Sequence, residues 1–432
     1  MAIVKADILS AVRQFGVQTV RLQFVDILGG TKGVDIPATR LERALDHELS
    51  FDGSSLFGFA RTEEADVKLR PDYNTFAVLP WHDPHGRAAR LICDVCAPDG
   101  RPFPHDPRQA LRRVERRLEA LGFRVETAPE CEFYLFAGPP RLGPLRPHDG
   151  AGYFDMGPSD LGERTRREIV IALEAIGFSV EASHHEVGPG QHEIRLNGDA
   201  ALTIADRVAT LKLVARRLAR EADLAATFMP KPLFDRPGSG MHTDWALFDR
   251  DNRNAFADPQ RPSGLSETAR HFVAGILAHA RALCALTNPL VNSYKRLLPG
   301  FEAPYRIAWS TASRQALVRV PPERGRNTRL ELRSPDPACN PYLAFAAILA
   351  AGLDGLARRL EPPLPLEERS AAPAQLPVDL GEALDALAAD RVLIDALGGA
   401  IAETYLQAKS IEWGVYLGQV HPWEIEQYFD SF

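Results

Sequence analysis

Acidic side chains recur at short, regular spacings in the sequence. Glu130 and Glu132 stand two residues apart in ECEFYLF, and Glu186 and Glu193 flank a Gly-Pro-Gly turn in HHEVGPGQHEIRL. Side chains two apart on a strand project from one face, and a turn at Gly-Pro-Gly would pair two strands. Buried carboxylates this close need a cation or a proton. Each segment alone also fits an exposed strand face or a polar hairpin.

Two further segments add a histidine and a fifth glutamate. His242 follows Gly238-Ser239-Gly240 in GSGMH, and Glu331 stands between Arg329 and Arg333 in RLELRSPDP. Taken singly, a lone histidine is more often structural, and Glu331 fits a surface ion-pair strand. Together, five Glu and one His favour Mg²⁺ or Mn²⁺, because hard divalent cations prefer oxygen ligands. The five cysteines lack zinc-site spacing.

Arginines accumulate in the C-terminal half of the sequence, namely Arg296, Arg314, Arg319, Arg329 and Arg333. Metal-bridging carboxylates beside several arginines suggest phosphoryl chemistry, because metals clamp phosphate oxygens and arginine neutralises developing charge. The sequence contains neither GxxxxGK[ST] nor GxGxxG. An ATP site here must therefore depend on metals and arginine.

Helices and strands must bring these segments together. Asp106 can cap a helix with Pro107 at its first position, and Gly122 can end it. A strand at 125–136 then carries ECEFYLF, and a second helix at about 160–176 leads in the same way into HHE. Further strands are predicted at 17–25 and 34–36, loops at 51–59 and 361–377, and helices at about 201–221, 266–285, 341–356 and 400–417. Four prolines between 96 and 108 mark a domain boundary.

Composition limits the kind of protein that these motifs can belong to. The 432 residues carry 50 Lys and Arg against 57 Asp and Glu, a formal net charge of −7. This balance argues against a nucleic-acid surface and against a polybasic membrane surface. Five cysteines predict reduced thiols in the cytoplasm. The longest apolar stretch, residues 343–353, predicts a buried helix, and the N-terminus lacks the apolar run of a signal peptide.

Nearly the whole sequence resembles glutamine synthetase of the bacterial class I type. The resemblance is carried by FDGSS, PECEFYLF, AGYFDMGPSDLG, EASHHEVGPGQHEI, TFMPKP, GSGMH, NPLVNSYKRLLPGFEAP, RLELRSPDPACNPYLAFAAILAAGLDG and QVHPWEIEQY, in this order. It implies an α+β fold with a small β-grasp-like N-terminal domain, residues 1–103. A large catalytic domain, residues 104–432, is expected to hold a curved antiparallel sheet with flanking helices.

The resemblance also implies roles for individual residues. It assigns Glu132, Glu186 and Glu193 to a metal that orders glutamate, and Glu130, His242 and Glu331 to a metal that bridges the ATP phosphates. The expected cofactor is Mg²⁺ or Mn²⁺, two or more ions per site, with ATP as co-substrate. The expected catalytic residues are Asp52, Glu302 and Arg314. The expected substrate-binding residues are Ser55, Tyr153, Glu132, Glu186, Gly238, His242, Arg296 and Arg333. The expected ATP-binding residues are Glu181, Arg314, Arg319, Arg326 and Arg329.

The implied activity is the ATP-dependent ligation of ammonium to glutamate through γ-glutamyl phosphate. Asp52 is expected to take a proton from ammonium, and Glu302 to lie on a loop that closes the site. The resemblance further implies active sites shared between subunits of a homododecamer, and no nucleic-acid or membrane partner. Two alternatives stay open: a γ-glutamyl ligase of the same family that uses another amine, and a non-catalytic member. The sequence departs from the usual family residues at Pro237, Asp244, Ala246 and Gly198.

Overall fold

Two β-sheets organise the chain in the computed structural model, which describes residues 3–53, 66–81, 86–138, 145–300 and 303–432. The strands in these ranges are β1 (Val17–Val25), β2 (Thr31–Pro37), β3 (Ser50–Asp52), β4 (Asp66–Val78), β5 (Arg87–Cys96), β6 (Arg124–Ala137), β7 (Val180–His185), β8 (Gln191–Leu196), β9 (Leu224–Thr227), β10 (Met241–Phe248), β11 (Arg306–Ser310), β12 (Ala316–Arg319) and β13 (Leu330–Leu332). The α-helices are α1 (Lys5–Gln14), α2 (Leu41–Leu45), α3 (Pro107–Ala120), α4 (Glu163–Ala175), α5 (Ala201–Glu221), α6 (Glu267–Ala278), α7 (Ala280–Thr287), α8 (Pro341–Arg358), α9 (Leu380–Ala389), α10 (Arg391–Leu397), α11 (Gly399–Leu417) and α12 (Pro422–Tyr428).

The N-terminal sheet has the strand order β2-β1-β5-β4-β3, in which β1 and β5 are parallel and the other neighbours antiparallel. Alternate side chains of β1, including Val20 and Leu22, are buried in a separate apolar cluster with Ile8 of α1. The sequence analysis predicted strands in this region but not α1, which buries only Ile8 and Val12 and so carries a weak helical pattern. The predicted loop at 51–59 begins inside β3, and its residues from 54 onward lie outside the described ranges.

The larger sheet has the order β11-β12-β13-β10-β6-β8-β7, with β9 pairing with β6. Its neighbours are antiparallel except for β11 and β12, which run parallel. The predicted strand at 125–136 is β6, and the Gly-Pro-Gly segment joins β7 and β8 into the predicted hairpin. The expected α+β class is confirmed.

Most predicted helices form, and one of them is divided in the structure. Asp106 caps α3 by accepting from the backbone N–H of Arg108, as its position before Pro107 predicts. The helix predicted at 266–285 is divided into α6 and α7 at His279. Its Nδ1 and Nε2 lie 2.5 and 3.1 Å from carboxylate oxygens of Asp390 and Asp354. These contacts hold the residue outside both helices.

The predicted exposed loop at 361–377 is partly buried. Leu376 belongs to the main core, and Glu367 accepts hydrogen bonds from the hydroxyl groups of Ser310 and Thr311. The pKa of Glu367 is lowered to about 2, because these hydrogen bonds outweigh the effect of its burial, which raises it. Most of the predicted loop is exposed, as its composition indicates, but its tertiary hydrogen bonds could not be predicted from composition.

Helix α8 runs through the core and packs against α3, α5, α6 and α10. It is long and apolar enough to cross a membrane by length and composition, but 78% of that stretch is buried in the protein. A core helix that is mostly buried in a protein can have the same length and apolar composition. Its contact with α6 requires glycine, because a Cβ on Gly275 would lie 2.1 Å from the carbonyl oxygen of Ala351.

A buried arginine joins the N-terminal sheet to the larger unit. Arg108 in α3 contacts Asp94 in β5 at 2.6 Å, Asp72 in β4 at 2.8 Å and Asp206 in α5 at 2.8 Å. The hydroxyl group of Tyr342 donates to Asp206 at 2.6 Å. Four elements from both units therefore share one cation, whose removal leaves buried carboxylates uncompensated.

We expect Arg108→Ala to lower the free energy of unfolding by about 3–5 kcal/mol, because it breaks a buried ion-pair network. Urea titration at a fixed protein concentration measures the change. Arg101→Ala removes an arginine that is 83% exposed and pairs with Asp99, and should change stability by less than about 1 kcal/mol. Equal effects of the two substitutions would show that the network does not join the two units.

Candidate active site

Neighbouring strands of the larger sheet bring acidic side chains side by side. In the register of β6 and β8, Glu132 lies opposite Glu193. On the other side of β6, His242 lies opposite Glu130, and β13 places Glu331 beside β10. Because strand side chains alternate, the period-two spacing turns these groups to one face. The candidate ligands from the four sequence segments therefore meet on one face of the larger sheet.

These side chains line a cleft of about 600 Å³. The described residues lining it are Glu130, Glu132, Tyr153, Phe154, Glu181, Ala182, His184, Glu186, Val187, Gln191, Glu193, Arg195, Pro237, Gly238, His242, Arg296, Gly300, Ala303, Arg314, Arg319, Glu331 and Arg333. Every one of the predicted metal ligands is in this set.

The acidic residues form two groups with metal-ligand geometry. In the first, Nδ1 of His242 lies 3.2 Å from Glu130 Oε2 and 3.8 Å from Glu331 Oε1. In the second, His184 approaches Glu193 at 3.3 Å and Glu186 at 3.7 Å. Within each group the possible ligand atoms lie within 4.8 Å of one another.

Glu132, predicted in the second group, is held slightly differently. Its Oε2 accepts hydrogen bonds from Gln191 Nε2 at 3.1 Å and from the backbone N–H of Gly240 at 2.9 Å. Burial raises the pKa of the Glu132 carboxyl, and the neighbouring Glu186 and Glu193 raise it further. The carboxylates can therefore all stay ionised only if a cation lies between them.

The first group presents a neutral imidazole. Burial, with a further contribution from Arg333, lowers the pKa of His242 to about 3. A neutral ring keeps a nitrogen lone pair available for a metal. Imidazole with several carboxylate oxygens is a donor set that suits a divalent cation, so the residues present fit such an ion.

Arginines neutralise the acids along one wall. Glu331 contacts Arg319 Nη1 and Arg333 Nη1, each at 2.7 Å. Arg195 contacts Glu130 at 2.7 Å through Nη1, while Nε approaches Glu181 at 2.9 Å. Its Nη2 donates to Asp244 at 2.9 Å. One guanidinium therefore ties three carboxylates that come from three strands.

A short loop fixes the opposite wall. The Tyr134 hydroxyl donates to the carbonyl oxygen of Pro237 at 2.7 Å, and Gln191 Nε2 donates to that of Gly238 at 3.1 Å. Behind the loop, Arg296 is buried and donates to backbone carbonyls of the segment that follows β13. A Cβ on Gly240 would lie 2.4 Å from Arg296 Nη2, so only glycine allows this approach.

A buried polar network supports the β7–β8 hairpin from behind. Nδ1 of His185 lies 2.7 Å from the carbonyl oxygen of Glu186, and Nε2 lies 3.3 Å from Asp149. Arg166 lies 2.8 Å from Nδ1 of His192 and donates to Asp160 at 2.8 Å. The residues adjacent to Glu186 and Glu193 are thereby anchored, and the two carboxylates point into the cleft.

The other predicted site residues fall into three places. Tyr153, Gly238, Arg296, Arg314, Arg319 and Arg333 line the cleft. Arg326 and Arg329 line an adjoining cleft of about 340 Å³, which shares Glu181 and Arg195 with the first. Asp52 lies at the end of β3, and among the described residues it does not line the cleft of its own chain. Ser55 and Glu302 lie outside the described ranges.

His184, Gln191 and Arg195 were not predicted to take part. The first precedes Glu186 by two residues and the third follows Glu193 by two. The same period-two argument that selected the glutamates could have selected them. The same argument covers Gln191, which precedes Glu193 by two residues, although its partners on β6 and in the 237–240 loop are set by the tertiary structure.

Family comparisons agree with this geometry. The family model "Glutamine synthetase, catalytic domain" matches residues 104–428, and "Glutamine synthetase, beta-Grasp domain" matches residues 16–98. The chain belongs to the glutamine synthetase family. The glutamine synthetase of Thermus thermophilus is 52% identical over 447 residues, covering 100% of both chains. That of Staphylococcus aureus strain Mu50 is 50% identical over 440 residues, covering 99% of this chain and 98% of the relative.

Solved structures give the same fold. A GmaS complex with ADP has a TM-score of 0.89 at 34% identity, and covers 98% of this chain and 99% of its own. Plasmodium falciparum glutamine synthetase has a TM-score of 0.91 at 24% identity, with 99% of both chains covered. The resemblance seen in the sequence is confirmed, and so is the expectation of a ligase. Glutamine synthetases act on glutamate, ammonium and ATP and use divalent metal, and the acidic groups of this chain are suited to such metal.

Arg195 should make the glutamine synthetase cleft less dependent on metal for its stability. Without it, Glu130, Glu181 and Asp244 repel one another. We therefore expect Arg195→Met to lower the melting temperature in EDTA, and saturating MnCl₂ to raise it by more than in the unmodified chain.

Thermal melts with and without MnCl₂ measure the difference. Arg164→Met, which removes an exposed arginine paired with Glu168, serves as the matched control and should show the metal response of the unmodified chain. An Arg195→Met variant with that same response would contradict the neutralising role.

Proposed function

We propose that the chain joins ammonium to the γ-carboxylate of L-glutamate, with ATP as co-substrate, and releases L-glutamine, ADP and phosphate. The observation that carries this is the meeting of two metal-ligand groups and several arginines in one cleft. Carboxylates alone would repel ATP. Divalent cations and guanidinium groups together turn the same wall into a phosphate-binding surface.

The reaction has two balanced steps. A glutamate γ-carboxylate oxygen forms a bond to the γ-phosphorus of ATP, and the bond to the bridging oxygen breaks to release ADP. Ammonium then gives a proton to a base, for which Asp52 of a neighbouring copy is proposed. The nitrogen of the resulting ammonia bonds to the γ-carbonyl carbon and gives up a second proton to the phosphate, which leaves as hydrogen phosphate when its bond to that carbon breaks. Glu302 is proposed to shield the acyl phosphate from water.

The residue roles follow the two walls of the cleft. Two or more Mg²⁺ or Mn²⁺ ions would be held by Glu132, Glu186 and Glu193 and by Glu130, His242 and Glu331. Bound metal supplies charge neutralisation at the phosphate oxygens. Glutamate is proposed to lie against Tyr153, Ser55, the Gly238 loop, Arg296 and Arg333. Arg314 and Arg319 face the transferred phosphoryl group, and Glu181, Arg326 and Arg329 lie toward the nucleotide.

Three of the residues that differ from the usual family residues leave space for a nucleotide. Asp244 is paired with Arg195 and Arg329, so its carboxylate is satisfied within the protein. A Cβ on Gly198 would meet only ordinary contacts, at 3.7 Å or more, and Ala246 is also small. The adjoining cleft can therefore take the base, with the phosphates directed toward Glu130.

A second candidate uses another amine in place of ammonium. Pro237 favours it, because the proline stiffens the loop beside glutamate, although Tyr134 holds its carbonyl in place. Phosphate release with ATP, Mg²⁺ and glutamate separates the candidates when ammonium is compared with a panel of amines. We expect turnover with ammonium and little with larger amines. Strong turnover only with an organic amine supports the second candidate, and none with any acceptor supports a non-catalytic member.

Glu331→Ala should abolish phosphoryl transfer, because Glu331 joins the first metal group to two arginines. Positional isotope exchange in ATP with glutamate present, without acceptor, reports this first step directly. Glu267→Ala, at an exposed position on α6, is the control and should keep normal exchange. Near-normal exchange in Glu331→Ala would show that the metal assignment is wrong.

We also propose that the chain self-associates in the cytoplasm, with a dodecamer as the expected assembly. The proposed domains are residues 1–103 and 104–432. Phe103 packs into the N-terminal core, which supports this boundary.

The C-terminal segment exposes Trp423, Phe429 and Phe432, whose exposed fractions are 59, 77 and 102%. Apolar surface of this kind is typical of an interface.

Removal of residues 419–432 should therefore reduce the oligomer without unfolding the protein. Light scattering coupled to gel filtration gives the mass of the assembly, and circular dichroism controls for folding. A truncated chain with the unmodified mass would exclude the C-terminal segment as an assembly contact.

A further inference from the structure

A second large cleft, of about 720 Å³, lies between the N-terminal sheet and α5. Arg21 and Gln23 of β1 and Arg90 of β5 line one side of it, and the C-terminal turns of α5 line the other. Among the described residues, none lines both this cleft and the catalytic cleft. It is therefore a separate site, formed where the two units meet.

The cleft carries an excess of positive charge. Five of its described lining residues are arginines and one is an acid, Glu221. Glu221 pairs with Arg217 at 2.9 Å, and Arg21 pairs with Asp35 at 2.8 Å outside the lining. Three arginines, namely Arg90, Arg216 and Arg220, are thus left without an acidic partner among the described ion pairs. Several guanidinium groups around one cavity attract a multivalent anion.

Arg90 is the strongest evidence for a ligand. It is only 5% exposed, and its Nε and Nη1 are buried without a hydrogen-bond partner in the part of the chain that the structure describes. Burial lowers its pKa, although Asp206 partly opposes the shift. A buried unpaired guanidinium is unfavourable, and native proteins satisfy such groups with a partner, water or an ion. Arg108, in the same interface, has three aspartates.

An aromatic face adds a second kind of contact. The guanidinium of Arg217 lies 5.0 Å from the centre of the Trp81 ring, and both residues line the cleft. A flat base could stack against either group, while the arginines on β5 and α5 hold its phosphates. The volume is also large enough for a molecule of nucleotide size.

We infer that this interdomain cleft binds a compact phosphate-bearing anion, either an inorganic polyphosphate or a nucleoside phosphate, with Arg90 as its central ligand. The guanidinium fork of Arg90 donates to phosphate oxygens, and Arg216 and Arg220 add charge from α5. The site needs no divalent metal, because arginine alone supplies the positive charge. In this respect it differs from the proposed catalytic cleft, where acidic residues require metal.

Calorimetric titration of the full chain in EDTA tests the inference, with tripolyphosphate as the probe. We expect binding by the unmodified chain and at least a tenfold weaker affinity for Arg90→Met. Arg101→Met, an exposed arginine outside the cleft, should bind as the unmodified chain does. Unchanged affinity in Arg90→Met would overturn the site. Loss of binding in Arg319→Met, with Arg90→Met unaffected, would place the anion in the catalytic cleft and also overturn it.

Thermal melts give an independent readout. Tripolyphosphate should raise the melting temperature of the unmodified chain and leave that of Arg90→Met unchanged. Without anion, Arg90→Met should be at least as stable as the unmodified chain, because it removes an uncompensated buried charge. If that variant does not fold, the exposed pair Arg216→Ala/Arg220→Ala replaces it and should weaken binding at least tenfold. Full affinity in that double variant would contradict the inference.

Two further ligands identify the chemical class. If its base stacks on Trp81, ATP in EDTA should bind at least as tightly as tripolyphosphate. If only phosphates are recognised, ATP should bind more weakly. The comparison therefore separates a nucleoside phosphate from an inorganic polyphosphate. Succinate should bind at least tenfold more weakly than tripolyphosphate. Equal affinity for the dicarboxylate would show that the cleft does not select phosphate.

Discussion

Mutual repulsion between carboxylates is the constraint on which the rest of this structure depends. Glu132 on β6 lies opposite Glu193 on β8, and Glu130 stands on the same face of β6. Glu331 lies on β13, which is separated from β6 by β10 with His242. A fold that concentrated these charges without compensation would be unstable. Arginines relieve part of the repulsion, and the space between the acids is suited to divalent cations. A cation bound there would both relieve the repulsion and complete the proposed site.

Ion pairs and hydrogen bonds fix the walls of the cleft and leave its acidic side chains available to bind. Arg195 ties together acids from three strands, while Tyr134 and Gln191 fix the loop that faces them. Behind the hairpin, His185 and its partners anchor the backbone next to the glutamates. Each of these groups acts on a carbonyl or a carboxylate that substrate or metal would touch. The chemistry therefore rests on positioning, which suits phosphoryl transfer.

The interface between the two units distributes charge unevenly. Arg108 shares three aspartates from both units, which makes that end of the interface a fixed ionic joint. Arg90, nearby on β5, has no aspartate partner in the described part of the chain, and faces a cavity with other arginines. One end of the interface is thus complete within the chain, and the other is completed by an anion from solution. Occupancy of that end would stabilise the contact between the sheet that carries Asp52 and the catalytic unit.

Local sequence patterns were enough for the strands, for most helices and for the metal-ligand candidates. Period two selects Glu130 with Glu132, and an aspartate before a proline marks the start of α3, because both signals act between near neighbours in the chain. The break at His279, the hydrogen bonds of Glu367, and the contacts of Gln191 and Arg195 were not predictable in this way. Their partners lie tens of residues distant or more, and only strand register and helix packing decide which groups meet. The sequence by itself determined the family, the fold class and the acidic residues that line the cleft. The tertiary structure alone decided how their charges are balanced, and which buried arginine finds no acidic partner among the residues that the structure describes. The reason is that electrostatic compensation depends on distance in space and not on spacing along the chain.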